Sequence, residues 1–162
     1  MELGGLYHDK ERVFLLSTTY GAEAHGLAAA LATMKVYESE PVIEHLHRQG
    51  EKLVKGINQA VQEHHLEEFF GLQGRDCSLL YYTLDENRRP SQAFRALFMQ
   101  EIIQRGIIAP SLVTSYSHTD QDIEATLDAI NEALYIYRKA LDEGYEKYLV
   151  GRPVKPPIRR FN

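Results

Sequence analysis

In the stretch FFGLQGRDCSLLYYTL, residues 69–84, the apolar residues no longer follow helical spacing. They form short continuous runs near the middle of the chain. Phe69–Leu72 and Ser78–Leu84 are rich in aromatic and aliphatic side chains, and they predict two strands. Residues 74–76, with a glycine first, predict the turn between them. The stretch therefore predicts an antiparallel hairpin.

Helical patterns flank this hairpin on both sides. Before it, an alanine-rich segment predicts a helix from about Ala22 to Glu38, and apolar spacing predicts another from Pro41 to about His65. Leu27, Leu31 and Met34 share one face of the first helix, and the small alanines beside them predict burial on several sides.

After the hairpin, Ser91 is a plausible N-cap for a third helix, which Gly106 should end. Thr119 is expected to cap the last long helix, because acidic residues fill the first turn after it. Between these helices, residues 107–110 and 113–116 predict two more short strands. The whole pattern predicts an α+β fold with a small, mostly antiparallel sheet covered by helices.

Composition limits the class of function. The chain has 162 residues, one domain's worth, and its formal net charge of -5 argues against general nucleic-acid binding. Cys77 is the single cysteine, which fits a reducing compartment and predicts a small buried side chain. The sequence has no apolar run of membrane-spanning length and no secretory signal, so we expect a cytoplasmic protein without a membrane partner.

Candidate chemistry is concentrated in one place. Residues 17–21, STTYG, lie between the apolar run Val13–Leu16 and the first helix. Hydroxyls and free backbone N–H groups at a helix start suit a phosphate, although simple N-capping accounts for the same residues. The histidines and paired carboxylates form no pattern of metal ligands or of an acid and base, so no catalytic and no metal-binding residue is predicted.

Three motifs together carry a resemblance to a known family. Thr19-Tyr20-Gly21 is followed by a helix of small residues, Leu27–Met34. Gly106–Ser111 is followed by Ser117–Ile123, and the chain ends in a tail that includes Tyr148–Pro156. In this order they resemble the C-terminal portion of class III aminotransferases that depend on pyridoxal phosphate (PLP), in the branch of glutamate-1-semialdehyde 2,1-aminomutase.

The resemblance implies a fold, a cofactor and partners. It implies the C-terminal domain of a fold-type I PLP enzyme, whose parent is a homodimer that moves an amino group on a small amino or keto substrate. Thr19, with Thr18 as second candidate, would bind the phosphate of the neighbouring subunit's PLP. Residues 1–38 would end the large cofactor-binding domain, residues 39–150 would form the small domain, and residues 151–162 an extended tail.

The sequence also departs from the family pattern. Ala22–His25 stands where the family often has Asn-Pro, and the loop from Pro110 to His118 is shorter, which leaves the substrate open. The family's Schiff-base lysine lies upstream of the Thr-aromatic-Gly motif, where this chain has only Lys10 in an unmatched context. We therefore expect a fragment without its N-terminal cofactor-binding domain, inactive alone. The alternative is a stand-alone interaction or structural domain derived from such an enzyme.

Overall fold

A computed structural model describes residues 23–153 of the chain. The chain divides into two compact units, Met1–Pro41 and Val42–Asn162. In the described residues, the first unit contributes one helix, and the second contributes three helices, a small sheet and a short 3-10 helix.

The first unit contains helix α1, Ala24–Ser39. Its alanines and leucine are strong helix formers, which explains why the segment is helical over its whole length. None of its residues is buried, and Leu27, Leu31 and Met34 are each more than half exposed. The expected helix is therefore present, but the expected burial of its faces is not found.

The second unit begins with helix α2, Val42–Glu63. Val42, Leu53, Ile57 and Val61 are buried, as their helical spacing predicts, because they form one apolar stripe. Gln49 also lies in this stripe and is only 1% exposed. Ile43, in contrast, points to solvent.

The hairpin predicted from residues 69–84 is present, but its turn is residues 76–77 and not 74–76, because Gly74 and Arg75 still pair with β2. Strands β1, Phe70–Arg75, and β2, Ser78–Thr83, pair antiparallel along their whole lengths, from Phe70 opposite Thr83 to Arg75 opposite Ser78. Strand β3, Leu112–Val113, pairs antiparallel with the first two residues of β2 only. The order in the sheet is β1-β2-β3.

Helices α3, Gln92–Gln104, and α4, Asp120–Glu143, both begin at the predicted caps. The Ser91 hydroxyl accepts a hydrogen bond from the Phe94 N–H. At α4, the Thr119 side chain accepts from the Asp122 N–H while the Asp122 carboxylate accepts from the Thr119 N–H, which is a capping box. Helix α4 is followed by the 3-10 helix Tyr145–Lys147.

The core of the second unit lies between the sheet and the helices. Helix α4 packs against α2 and α3, and the sheet contacts α2 and α3. Tyr137 is fully buried at the centre, and its phenol donates to the carbonyls of Leu84, at 2.7 Å, and Phe69, at 3.2 Å. The fold is α+β with a small antiparallel sheet, which confirms the predicted fold class.

Two strand predictions were wrong in detail. Residues 107–110 are not a strand, because their backbone groups bond outside any ladder: the Ala109 carbonyl accepts from the Tyr81 phenol and the Pro110 carbonyl from Arg95. The strand expected at residues 113–116 is the two-residue β3, one position earlier.

Candidate functional site

The first part of the expected site lies outside the described residues. Thr18 and Thr19, predicted to contact the PLP phosphate, precede residue 23, and so does Lys10. Just after them, His25 near the start of α1 is exposed and lies 3.0 Å from the Glu23 carboxylate.

The second motif, residues 106–123, is described in full. Gly106 adopts a positive φ of 85° where α3 ends, a conformation that favours glycine. The chain then continues without regular secondary structure through residues 107–111, forms β3, and turns at residues 114–118 into the Thr119 cap of α4. The motif thus links two helix ends through one short strand and one loop.

His118 holds this loop in place. Its ring Nδ1 accepts a hydrogen bond from the Ser115 N–H at 3.2 Å, so the neutral ring carries its proton on Nε2. Its backbone carbonyl accepts from His45 Nε2, at 2.9 Å, and from Gln49 Nε2, at 3.2 Å. These contacts assign His118 a positional role in the loop.

Gln49 connects α2 to the start of α4. Besides the His118 carbonyl, its amide donates to Asp120 Oδ1 at 2.9 Å, and Lys52 Nζ lies 2.6 Å from the same oxygen. Hydrogen bonding from Lys52, and then from Gln49, lowers the pKa of the Asp120 carboxyl. Gln49 Oε1 is buried and has no hydrogen-bond partner among the described residues.

A cleft of about 300 Å³ opens beside this network. We call it the loop cleft, and its lining includes Leu53, Ile107, Ile108, Ser111, His118 and Asp122. Asp122 is engaged in the capping box, and the Thr119 N–H, followed by the Thr119 hydroxyl, lowers the pKa of its carboxyl. Because its ionisable groups are tied to the loop and the helix cap, the loop cleft suits binding better than proton transfer.

A second cleft was not predicted from the sequence. It has a volume of about 450 Å³ and lies at the end of β2. We call it the edge cleft, and its lining includes Tyr81, Tyr82, Leu84, Pro90, Gln92 and Arg95. The sequence feature that points to this cleft is Arg95, a charged residue within the otherwise apolar run Phe94–Phe98 of α3.

Within residues 23–153, no group of three or more histidine, cysteine, aspartate or glutamate side chains could hold a metal ion. Cys77, predicted to be buried, is partly exposed in the turn between β1 and β2.

Within the same range, no helix combines the length and the apolar character needed to span a bilayer.

Comparison with known proteins places the chain beside one group of enzymes. It is 28% identical over 125 residues to a glutamate-1-semialdehyde 2,1-aminomutase of Archaeoglobus fulgidus, which covers 72% of this chain and 30% of that protein. It is 29% identical over 131 residues to the enzyme of the same name from Ignicoccus hospitalis, which covers 73% of this chain and 30% of that protein. The chain therefore spans less than a third of the length of these curated relatives. No protein-family model matches it.

A solved structure gives the same fold. The FumI protein of Sphingopyxis sp. MTA144, solved in its PLP internal aldimine form, superposes with a TM-score of 0.67 at 20% identity. The match covers 85% of this chain and 33% of that chain. The resemblance inferred from the motifs is thus confirmed. The chain is similar to the C-terminal part of glutamate-1-semialdehyde 2,1-aminomutases, and it has the fold of part of a PLP enzyme.

Proposed function

We propose that the chain is the C-terminal part of a PLP-dependent aminotransferase or aminomutase, similar to glutamate-1-semialdehyde 2,1-aminomutase. The observation that carries the proposal is an alignment over about 70% of this chain that falls on about 30% of each relative. The parent protein would be a cytoplasmic homodimer that moves an amino group on a small amino or keto substrate. PLP supplies the electron sink for such chemistry when it is bound.

In this proposal the chain contributes binding and positioning. Thr19, with Thr18 beside it, would donate hydroxyl hydrogen bonds to the phosphate of the partner subunit's cofactor. The loop at residues 110–118 would face the substrate. His118 would fix its shape through the bond that its ring accepts from the Ser115 N–H. Gln49 would do so through its bonds to the His118 carbonyl and to Asp120 at the start of α4. Since only Lys10 precedes Thr19, the chain alone would lack the family's cofactor-binding lysine and would not catalyse transamination.

A first experiment tests the chain alone. The purified chain is titrated with PLP, reduced with borohydride and examined by absorbance and mass spectrometry. We expect no stoichiometric adduct. A single-site adduct at one lysine would contradict the assignment of cofactor binding to a missing part of the protein.

A second experiment tests the parent function. The matched 125 residues of the Archaeoglobus fulgidus aminomutase are replaced by this chain, and the PLP retained by the chimera is measured. Loss of a hydrogen bond to a charged phosphate should weaken retention about tenfold or more in Thr19→Ala. The matched control is Thr33→Ala, because the Thr33 hydroxyl is exposed on α1 and bonds the Ala29 carbonyl. Unchanged retention in Thr19→Ala would refute the role of Thr19.

A further inference from the structure

The open edge of β2 provides the starting point. Leu84 donates its N–H to Phe69 on the β1 side, so Tyr81 and Thr83 direct their backbone groups to the opposite side. Strand β3 does not reach them, because it pairs only with Ser78 and Leu79. The Thr83 carbonyl accepts from the Ser91 N–H at 3.0 Å. The edge cleft lies along this part of β2.

Arg95 is held in a fixed position in the edge cleft. Its Nη2 donates to the Pro110 carbonyl at 2.7 Å, and its Nη1 lies 3.5 Å from the Tyr81 carbonyl. The guanidinium carbon is 4.6 Å from the centre of the Tyr81 ring. A guanidinium has more N–H donors than these two carbonyls use, so its planar fork can bind a further acceptor. The site is therefore preorganised without being saturated.

The charge of Arg95 is not balanced within the described residues. Arg88, Arg105 and Arg138 each pair with a carboxylate, whereas Arg95 has no acidic partner in this part of the chain. Arg95 is half-buried, so it has lost part of its hydration, and a cation in that situation favours a counter-charge. A carboxylate matches the guanidinium fork best, because it can accept two parallel hydrogen bonds.

The rest of the lining selects the remainder of the ligand. Leu84 and Pro90 give the lining apolar residues, and Gln92, which also lines the cleft, is exposed. A volume of about 450 Å³ suits a small organic molecule. We propose that the edge cleft binds a small organic carboxylate, with its carboxylate on the Arg95 guanidinium and its carbon skeleton against Leu84 and Pro90. This proposal does not depend on the function proposed above.

The test uses the full chain and two isosteric probes. Phenylacetate and its neutral analogue phenylacetamide are titrated while amide chemical shifts are followed by NMR. Phenylacetate should give saturable shifts at residues 81–84 and 91–95, and phenylacetamide should bind at least about tenfold more weakly, as expected for loss of a charged hydrogen bond. Equal affinity for the two probes would overturn the proposal, and so would equal affinity for inorganic phosphate, which would indicate an unselective anion site.

Two variants complete the test. Arg95→Gln should weaken phenylacetate binding at least about tenfold. Arg89→Gln is the matched control, because Arg89 is exposed on the loop beside Pro90 and only its backbone N–H bonds the Asp85 carboxylate. A folded Arg95→Gln chain with wild-type affinity would exclude Arg95 as the anchor. If that variant does not fold, the comparison of the two probes on the wild-type chain still tests whether the edge cleft requires a carboxylate.

Discussion

Replacing Gly50 by alanine should strongly destabilise the second unit. Gly50 lies on the buried face of α2, where the backbone of the β1–β2 turn packs directly on it. A Cβ at this position would lie 2.1 Å from the Asp76 carbonyl oxygen and 2.3 Å from its carbon. Both neighbours are backbone atoms, so no side-chain rotation can relieve the contact.

The magnitude follows from two opposing effects. In an exposed helix interior, glycine to alanine stabilises by about 1 kcal/mol. Here the turn must move away from α2 by roughly 1 Å to restore normal contact, and overpacking of this kind costs about 1–3 kcal/mol or more. The move would also strain the Thr114 hydroxyl, which bonds the carbonyls of Leu46 in α2 and Cys77 in the turn. Weakening these hydrogen bonds costs about 1 kcal/mol more, which offsets the gain in helix propensity, so we expect a net loss of about 1–3 kcal/mol.

Urea denaturation followed by circular dichroism measures this loss. With a slope of about 2 kcal/mol per molar urea, the midpoint should fall by about 0.5–1.5 M. Gly56→Ala is the control on the same helix, because its Cβ would meet only the flexible side chain of Leu127, at 2.6 Å. Its midpoint should change by less than half as much. A Gly50→Ala chain as stable as wild type would refute the close packing of α2 on the turn.

Three further predictions concern Tyr137 and the cap of α4. Tyr137→Phe leaves the Leu84 carbonyl without its phenol donor and should cost about 1–2 kcal/mol in urea denaturation, whereas Tyr135→Phe on the exposed side of α4 should change stability by less than about 0.5 kcal/mol. Thr119→Ala removes the capping hydroxyl and should cost about 1 kcal/mol, and an unchanged thermal midpoint would contradict the capping box. Because hydrogen bonds from Thr119 lower the pKa of Asp122 below its usual 3.8, the contribution of Asp122 is present above that pH and is lost as the pH falls through the folded-state pKa. Asp122→Asn should therefore flatten the decline in thermal midpoint below pH 4, and an identical decline in both proteins would exclude this carboxylate as its source.

Local signals predicted the helices and the hairpin well. Ser91 and Thr119 are caps whose hydroxyls bond the residue three positions later, so the information lies within one turn of chain. The hairpin was equally local, since β1 and β2 are joined by a two-residue turn. For these elements neighbouring residues suffice.

Non-local contacts explain the errors. The apolar run at residues 107–110 resembles a strand, but the Pro110 carbonyl is bonded by a side chain from α3, which no local pattern reveals. Likewise, the small residues of α1 predicted burial, yet nothing in a helix sequence states whether a partner surface is present. Gln49 was overlooked because its polar side chain occupies a position of an otherwise apolar stripe.

The candidate site was predicted in part. The motif at residues 106–123 was located from the sequence, and its geometry is now described around His118. The contacts of Thr18 and Thr19 stay predictions, as do the domain boundary after residue 38, the homodimer and the cytoplasmic location. Arg95 was missed because its place in the edge cleft depends on a non-local feature. The cleft is open only because β3 pairs with Ser78 and Leu79 and does not reach Tyr81.

The Tyr137 phenol has a consequence for local opening. It joins the middle of α4 to Phe69 and Leu84, the residues just before β1 and just after β2. The two ends of the hairpin therefore cannot separate from α4 without breaking bonds inside the core. In native-state hydrogen exchange, the amides of central α4 and of both hairpin ends should exchange as one cooperative unit, later than those of the loop at residues 114–118.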